Sequence, residues 1–167
     1  VNAALTGHKL LSTLHTNDAV TAIPRLIDMG VEPFLIASTL ICCVAQRLVR
    51  RVCPDCVEKK AFSRKDAAHI LGPAITETLF KGKSSVTVAA IKGCGQCSES
   101  GYRGRVGIYE VLENTPALQQ KIIMRASKTE LEALAREEGM TSIAEDAVAK
   151  ILSLETTVEE LVRVMQE

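Results

Sequence analysis

The 167-residue chain has no tryptophan, and Tyr and Phe together make up only 3% of it. So little aromatic surface leaves no stacking platform for single-stranded nucleic acid. Charge of one sign is also missing, since 20 Lys and Arg meet 20 Asp and Glu. A general nucleic-acid binder needs a surplus of cations to displace phosphate counterions, and that class is excluded. No apolar run reaches the roughly 20 residues that span a bilayer. The longest, residues 34–45, is interrupted by Ser38 and Thr39. Val1-Asn2-Ala3-Ala4 has neither the basic start nor the apolar stretch of a signal peptide, so a cytoplasmic location is the expectation. What is present is 47% apolar with a mean hydropathy of +0.14. That composition excludes intrinsic disorder and suffices for a buried core.

The pattern Lys9-Leu-Leu-Ser-Thr-Leu-His15 reads as a short strand. Thr16-Asn17-Asp18 follows it with side chains able to cap a helix. That helix would carry Ala22, Ile23, Leu26, Ile27 and Met29, hold Pro24 in its first turn and end at Gly30. Pro33 opens a second, longer helix to about Arg51, apolar on nearly every face through Ala45. The order of strand, turn and helices suggests the closing part of an α/β layer. Composition then changes at Cys53. From there to Gly101 the pattern predicts one short helix over 63–71 and a strand over 86–91. A further strand lies within 104–112. The remainder reads as helical. Thr115-Pro116 supplies a cap with proline at the first helical position, Ser127 with Glu130 forms a capping box, and Gly139 stops that helix. Ser142 with Glu145 and Thr157 with Glu160 repeat the cap spacing ahead of two apolar-periodic runs.

Six cysteines in a chain of this size call for a reason. Cys53-Pro-Asp-Cys56 and Cys94-Gly-Gln-Cys97 are two Cys-x-x-Cys knuckles, each able to fold two thiolates around one side of a tetrahedral ion. Two disulfides or a redox-active dithiol are the other readings of such pairs. A reducing compartment favours the metal, and zinc suits four thiolates without redox chemistry. With all four positions filled by sulfur the site would be structural, leaving no water to activate. Cys42 and Cys43 fall in the apolar helix and read as small buried hydrophobes.

His8 and His15 flank the first strand. His15 lies where a strand hands over to a helix, the edge at which open α/β sheets hold ligands. Beside Thr13, Thr16 and Asn17 its imidazole could donate to a phosphate oxygen or simply satisfy a turn. The segment 4–18 resembles the histidine box of the secretion ATPases that drive type II secretion and type IV pilus assembly. Residues 25–34 (RLIDMGVEPF), 45–50 (AQRLVR), both knuckles and 101–110 (GYRGRVGIYE) resemble that family in the same order. Lys9 departs from it, standing where an apolar residue is usual, and Cys42-Cys43 replaces small or aliphatic residues.

The resemblance implies the C-terminal portion of a RecA-like P-loop ATPase domain, with a tetra-cysteine zinc-binding insert and a C-terminal helical subdomain. The corresponding boundaries are 1–52, 53–103 and 104–167. It implies a homo-hexamer in the full-length protein, working with ATP and Mg2+. That motor would lie on the cytoplasmic face of the bacterial inner membrane, touch the membrane only peripherally and move an inner-membrane platform protein. His8 and His15 would belong to the nucleotide-sensing box, Cys53, Cys56, Cys94 and Cys97 to the metal site, and Arg105 would either approach the nucleotide or remain a surface cation. No Gly-x-x-x-x-Gly-Lys-[Ser/Thr] occurs in the sequence, so the backbone cradle and its lysine are missing and the chain by itself is expected to be inactive. From another functional class, a non-enzymatic zinc-stabilised adaptor docking through its amphipathic C-terminal helices is the alternative. The basic residues at Arg47, Arg50, Arg51, Lys59, Lys60, Arg64 and Lys65 fit a subunit contact, anionic lipid heads or a solvated face.

Overall fold

The computed structural model describes residues 1–165. It contains eight α-helices and four strands among those residues, in two compact units. The first unit comprises residues 1–45 and 109–142, the second residues 46–108 and 143 onward.

In the first unit, α1 (Asn2–Leu5), α2 (Ala22–Asp28) and α3 (Pro33–Thr39) are followed by the start of β1 (Cys42–Val52). The end of β4 (Tyr102–Glu113) then leads into α5 (Pro116–Ile123) and α6 (Lys128–Glu137). Helix α3 packs on α5, and α5 on α6. Ile23, Ile36, Leu112, Leu118, Ile122 and Leu131 are buried at the centre of this unit. Buried side chains of this size each contribute about 1.5–3 kcal/mol. The caps close as their spacing predicts. Thr115 Oγ1 accepts from Leu118 N, and Ser127 with Glu130 forms the reciprocal box. Gly139 follows α6 at φ +95°. Asn114 ties the end of α3, donating from Nδ2 to the carbonyls of Ala37 at 2.9 Å and Leu40 at 2.8 Å.

In the second unit, β2 (Val57–Ser63) pairs antiparallel with β3 (Ser85–Ile91), placing Val57 opposite Ile91 and Ser63 opposite Ser85. Helix α4 (Arg64–Phe80) connects them, and α7 (Ile143–Leu152) and α8 (Val158–Met165) complete the unit. One continuous core unites Val49, Leu71, Leu79, Phe80, Val88, Ile108, Val148, Ile151, Leu161 and Val164. The rings of Phe62 and Phe80 lie 6.2 Å apart at its edge. Strand β1 pairs with β4 in a sheet of two strands.

Several expectations need correction. Residues 8–15 form no strand; they lie outside any helix or ladder, and Leu10 and Leu11 are exposed. A strand requires a neighbour to take its N–H and C=O groups, and no other strand pairs with this segment among the described residues. The long helix from Pro33 is in fact a short one ending at Thr39, after which the chain becomes β1. Its buried residues Ala45, Val49 and Val52 fall at helical spacing, which hides the strand from periodicity alone. Cys42 and Cys43 therefore sit on a strand, Cys42 exposed and Cys43 half-buried. Burial and the neighbouring Cys42 push the Cys43 thiol up to about 11. The short helix over 63–71 continues past a break at Gly72, where φ is +72°, into a second segment running to Phe80.

Candidate functional site

Strand β1 ends at Val52, and the first knuckle begins at once. Cys53 N donates to the Gly101 carbonyl at 2.9 Å, which ties the first knuckle to the end of the second. A one-turn 3-10 helix, Gly95–Cys97, forms the second knuckle. Two glycines make the approach possible. A Cβ at Gly101, where φ is +72°, would stand 2.6 Å from Ile91 Cβ, and one at Gly93 would stand 2.7 Å from the Glu99 carbonyl oxygen. At either place a side chain would force its neighbour to shift.

These loops bring Cys53, Cys56, Cys94 and Cys97 together, with all four sulfurs within 4.8 Å of one another. Cys53 and Cys94 are 4.0 Å apart, Cys56 and Cys97 3.8 Å, and Cys94 and Cys97 3.8 Å. Four thiolates about 2.3 Å from a tetrahedral zinc ion lie about 3.8 Å from each other. The spacing fits a single ion, and all six cysteines of the chain are free thiols. Cys97 Sγ also accepts from Cys94 N and Gly101 N, both at 3.2 Å. Burial pushes its thiol up, but those backbone donors and the Cys94 and Cys56 sulfurs outweigh it and bring the pKa down to about 7. Burial pushes Cys56 up to about 12, and Cys53 is also raised, burial again being the main cause. A thiolate-ready Cys97 among reluctant partners suits a cation that compensates for the remaining charges. A half-exposed ion pair, Arg103 with Asp55 at 3.3 Å, borders the first knuckle.

Beside the strand ends that carry the knuckles lies a polar network that the cap spacing concealed. Thr157 does cap α8, its Oγ1 accepting from Glu160 N at 3.4 Å. The Glu160 carboxylate, only 1% exposed, turns to Arg50 and Arg163. Its oxygens accept from Arg50 N at 2.7 Å and Arg50 Nε at 2.8 Å, and from Arg163 Nη2 at 3.1 Å. Burial raises the Glu160 pKa, while the hydrogen bonds from Arg163 and Arg50 lower it further, to about 2. The Arg50 guanidinium lies 4.0 Å over the Tyr102 ring, whose hydroxyl meets Thr157 Oγ1 at 3.0 Å. An acidic residue at a cap position gives no sign in the sequence that it will instead be buried against an arginine. Of the other cations in the basic segments, Lys60 pairs with Glu159 and Arg64 with Glu77.

The histidines are placed differently from the cysteines. Both are exposed in the first unit, with His8 Nδ1 2.9 Å from Thr6 Oγ1. No hydrogen bond joins His8 to His15 among the described residues. Arg105 is exposed on β4 in the second unit.

The model of the type II/IV secretion system protein family matches residues 1–163. The chain belongs to that family. It is 44% identical to type II secretion system protein E of Pseudomonas aeruginosa across 100% of its own length, and 42% identical to type II secretion system ATPase E of Vibrio cholerae, again across 100%. It is 41% identical to the type IV pilus assembly ATPase PilB of Myxococcus xanthus over 97% of its length. The chain spans about a third of the length of these relatives, 32%, 31% and 28% in turn. No helix among the described residues is long and apolar enough to cross a membrane.

Proposed function

We propose that this chain is the C-terminal portion of a hexameric cytoplasmic ATPase that powers type II protein secretion or type IV pilus assembly, coupling ATP hydrolysis to extension of a pseudopilus or pilus. The observation that carries the reading is the four-sulfur cluster, set within a chain that the family model matches over residues 1–163. Cys53, Cys56, Cys94 and Cys97 would hold a structural Zn2+, whose contribution is to pin two loops with few core residues of their own. Residues 1–52 would complete the RecA-like core, 53–103 would form the metal-binding subdomain and 104–167 the helical subdomain.

In the full-length protein His8 and His15 would report on the nucleotide, and Arg105 would approach it. The segment 8–15 supports this: Leu10 and Leu11 lie open, as they would in a strand whose sheet neighbours belong to another part of the protein. Such a strand would place His15 at the edge where α/β sheets bind phosphates. The chain itself has no phosphate cradle, and the Mg2+–ATP site would be completed by residues outside it. The partners of the assembled motor would be other copies of itself and a platform protein at the inner face of the inner membrane.

ATP turnover tests this directly. The purified chain is expected to hydrolyse ATP no faster than a heat-killed control, while the full-length protein turns over and loses rate on His15→Gln. Hydrolysis by the chain alone, or a silent His15→Gln, would contradict the reading.

A further inference from the structure

The segment that carries His15 has no ladder to hold it, yet four residues later it is gripped firmly. Ala19 N donates to Glu110 Oε1 at 2.8 Å in a buried setting, joining residues 91 apart in sequence. Glu110 is only 7% exposed on β4. Asp18 adds a second hold. Its Oδ1 accepts from Thr21 N at 2.7 Å and from Thr21 Oγ1 at 2.6 Å, closing the turn into α2. Its Oδ2 meets the Nζ of Lys128, the first residue of α6, at 2.7 Å. The turn immediately after His15 is thus fastened to both β4 and α6, and all of these contacts lie within the first unit.

Burying a carboxylate is costly unless its charge is compensated, and an apolar residue could fill the same space without that cost. What Glu110 supplies, and an apolar residue cannot, is an acceptor fixed at one backbone amide. Glu110 holds the Ala19 amide and Lys128 holds the neighbouring Asp18, so the three side chains clasp one turn.

We propose that Glu110, aided by Asp18 and Lys128, is a positioning residue for His15, setting where the imidazole stands when nucleotide is bound. The inference rests on the reading of His15 as part of the nucleotide-sensing box. Without the clasp the turn keeps its composition but loses its anchor, and His15 samples positions from which it cannot meet a phosphate oxygen. Small misplacements of a group that acts in the transition state cost rate more than substrate binding.

The test is steady-state ATP hydrolysis by the full-length protein, separating kcat from KM, with Glu110→Ala, Glu110→Gln, Lys128→Ala and His15→Gln, and Glu110→Ala combined with His15→Gln. Glu110→Ala is expected to lower kcat about tenfold with KM changed less than about twofold. Glu110→Gln keeps the acceptor oxygen and recovers kcat to within about twofold of the parent. Added to His15→Gln, Glu110→Ala costs less than about twofold more, because the group it positions is already gone. Lys128 is half-exposed, so Lys128→Ala is compatible with folding even where Glu110→Ala is not. It shows the same kcat-selective loss, about threefold, and the same disappearance beside His15→Gln. An undiminished loss in the His15→Gln background, a change in KM alone, or no change at all overturns the clasp while leaving the histidine reading intact. A silent His15→Gln removes the histidine reading, and the clasp with it.

Discussion

The two units close their surfaces to different degrees. In the second, one continuous core takes in residues from all three α-helices and from three of its strands, and only five large apolar side chains are exposed among the described residues. In the first, twelve are exposed, Leu11 fully and Met124, Ile41, Met29 and Phe34 by more than half. The second unit also neutralises the deeply buried Glu160 with two arginines, and gathers its four thiols at one point. The first unit has caps, buried helix faces and the Glu110 clasp, but it also carries a segment, residues 8–15, in which Leu10 and Leu11 are exposed. On the proposed reading the rest of the motor supplies their cover.

Substitutions can break this contrast or sharpen it. Leu161→Ala removes a fully buried side chain from the core of the second unit and is expected to cost about 3 kcal/mol in a denaturant melt, the lost transfer energy plus the cavity left behind. Gly101→Ala is expected to cost about 2–3 kcal/mol and to weaken metal retention, because the left-handed backbone and the 2.6 Å approach to Ile91 Cβ must both be relieved. Both the melt and the metal content of the dialysed protein would report it.

Glu160 supplies a pH-dependent prediction. Its pKa is depressed in the folded chain, from 4.5 to about 2. The stability it contributes is therefore complete above about pH 4.5 and is lost as pH falls towards 2. The shift corresponds to about 3 kcal/mol. Between pH 6 and pH 3 the parent should lose stability relative to Glu160→Gln, and an unchanged difference would refute the buried pair. At the small end stands Leu11→Ser, which is expected to shift the melt of this chain by less than about 0.5 kcal/mol because the side chain is already in water. In the full-length protein the same change should cost several times more.

Much of the second half was legible from local chemistry. The strands around 86–91 and 104–112 and the capped helices after Thr115 stand where turn and cap residues put them, because those signals act over three or four residues. The cysteine cluster was legible too, since two Cys-x-x-Cys pairs supply the four thiolates that one tetrahedral ion takes. Strand β1 was not, because Ala45, Val49 and Val52 mimic a helix face and only pairing with β4 decides the matter. Strand β2, with Glu58, Lys59 and Lys60 exposed, has no apolar alternation and is held by its backbone partner β3. Glu160 and Glu110 were invisible for the same reason: their roles depend on residues 110 and 91 positions away.

Elemental analysis of the purified, reduced chain bears most directly on the four-sulfur centre around which the second unit is arranged. One equivalent of zinc per chain is the expected result, falling to none when Cys94 and Cys97 are both replaced by Ser. Metal well below one equivalent in the parent, with the thiols paired as disulfides, would contradict the account.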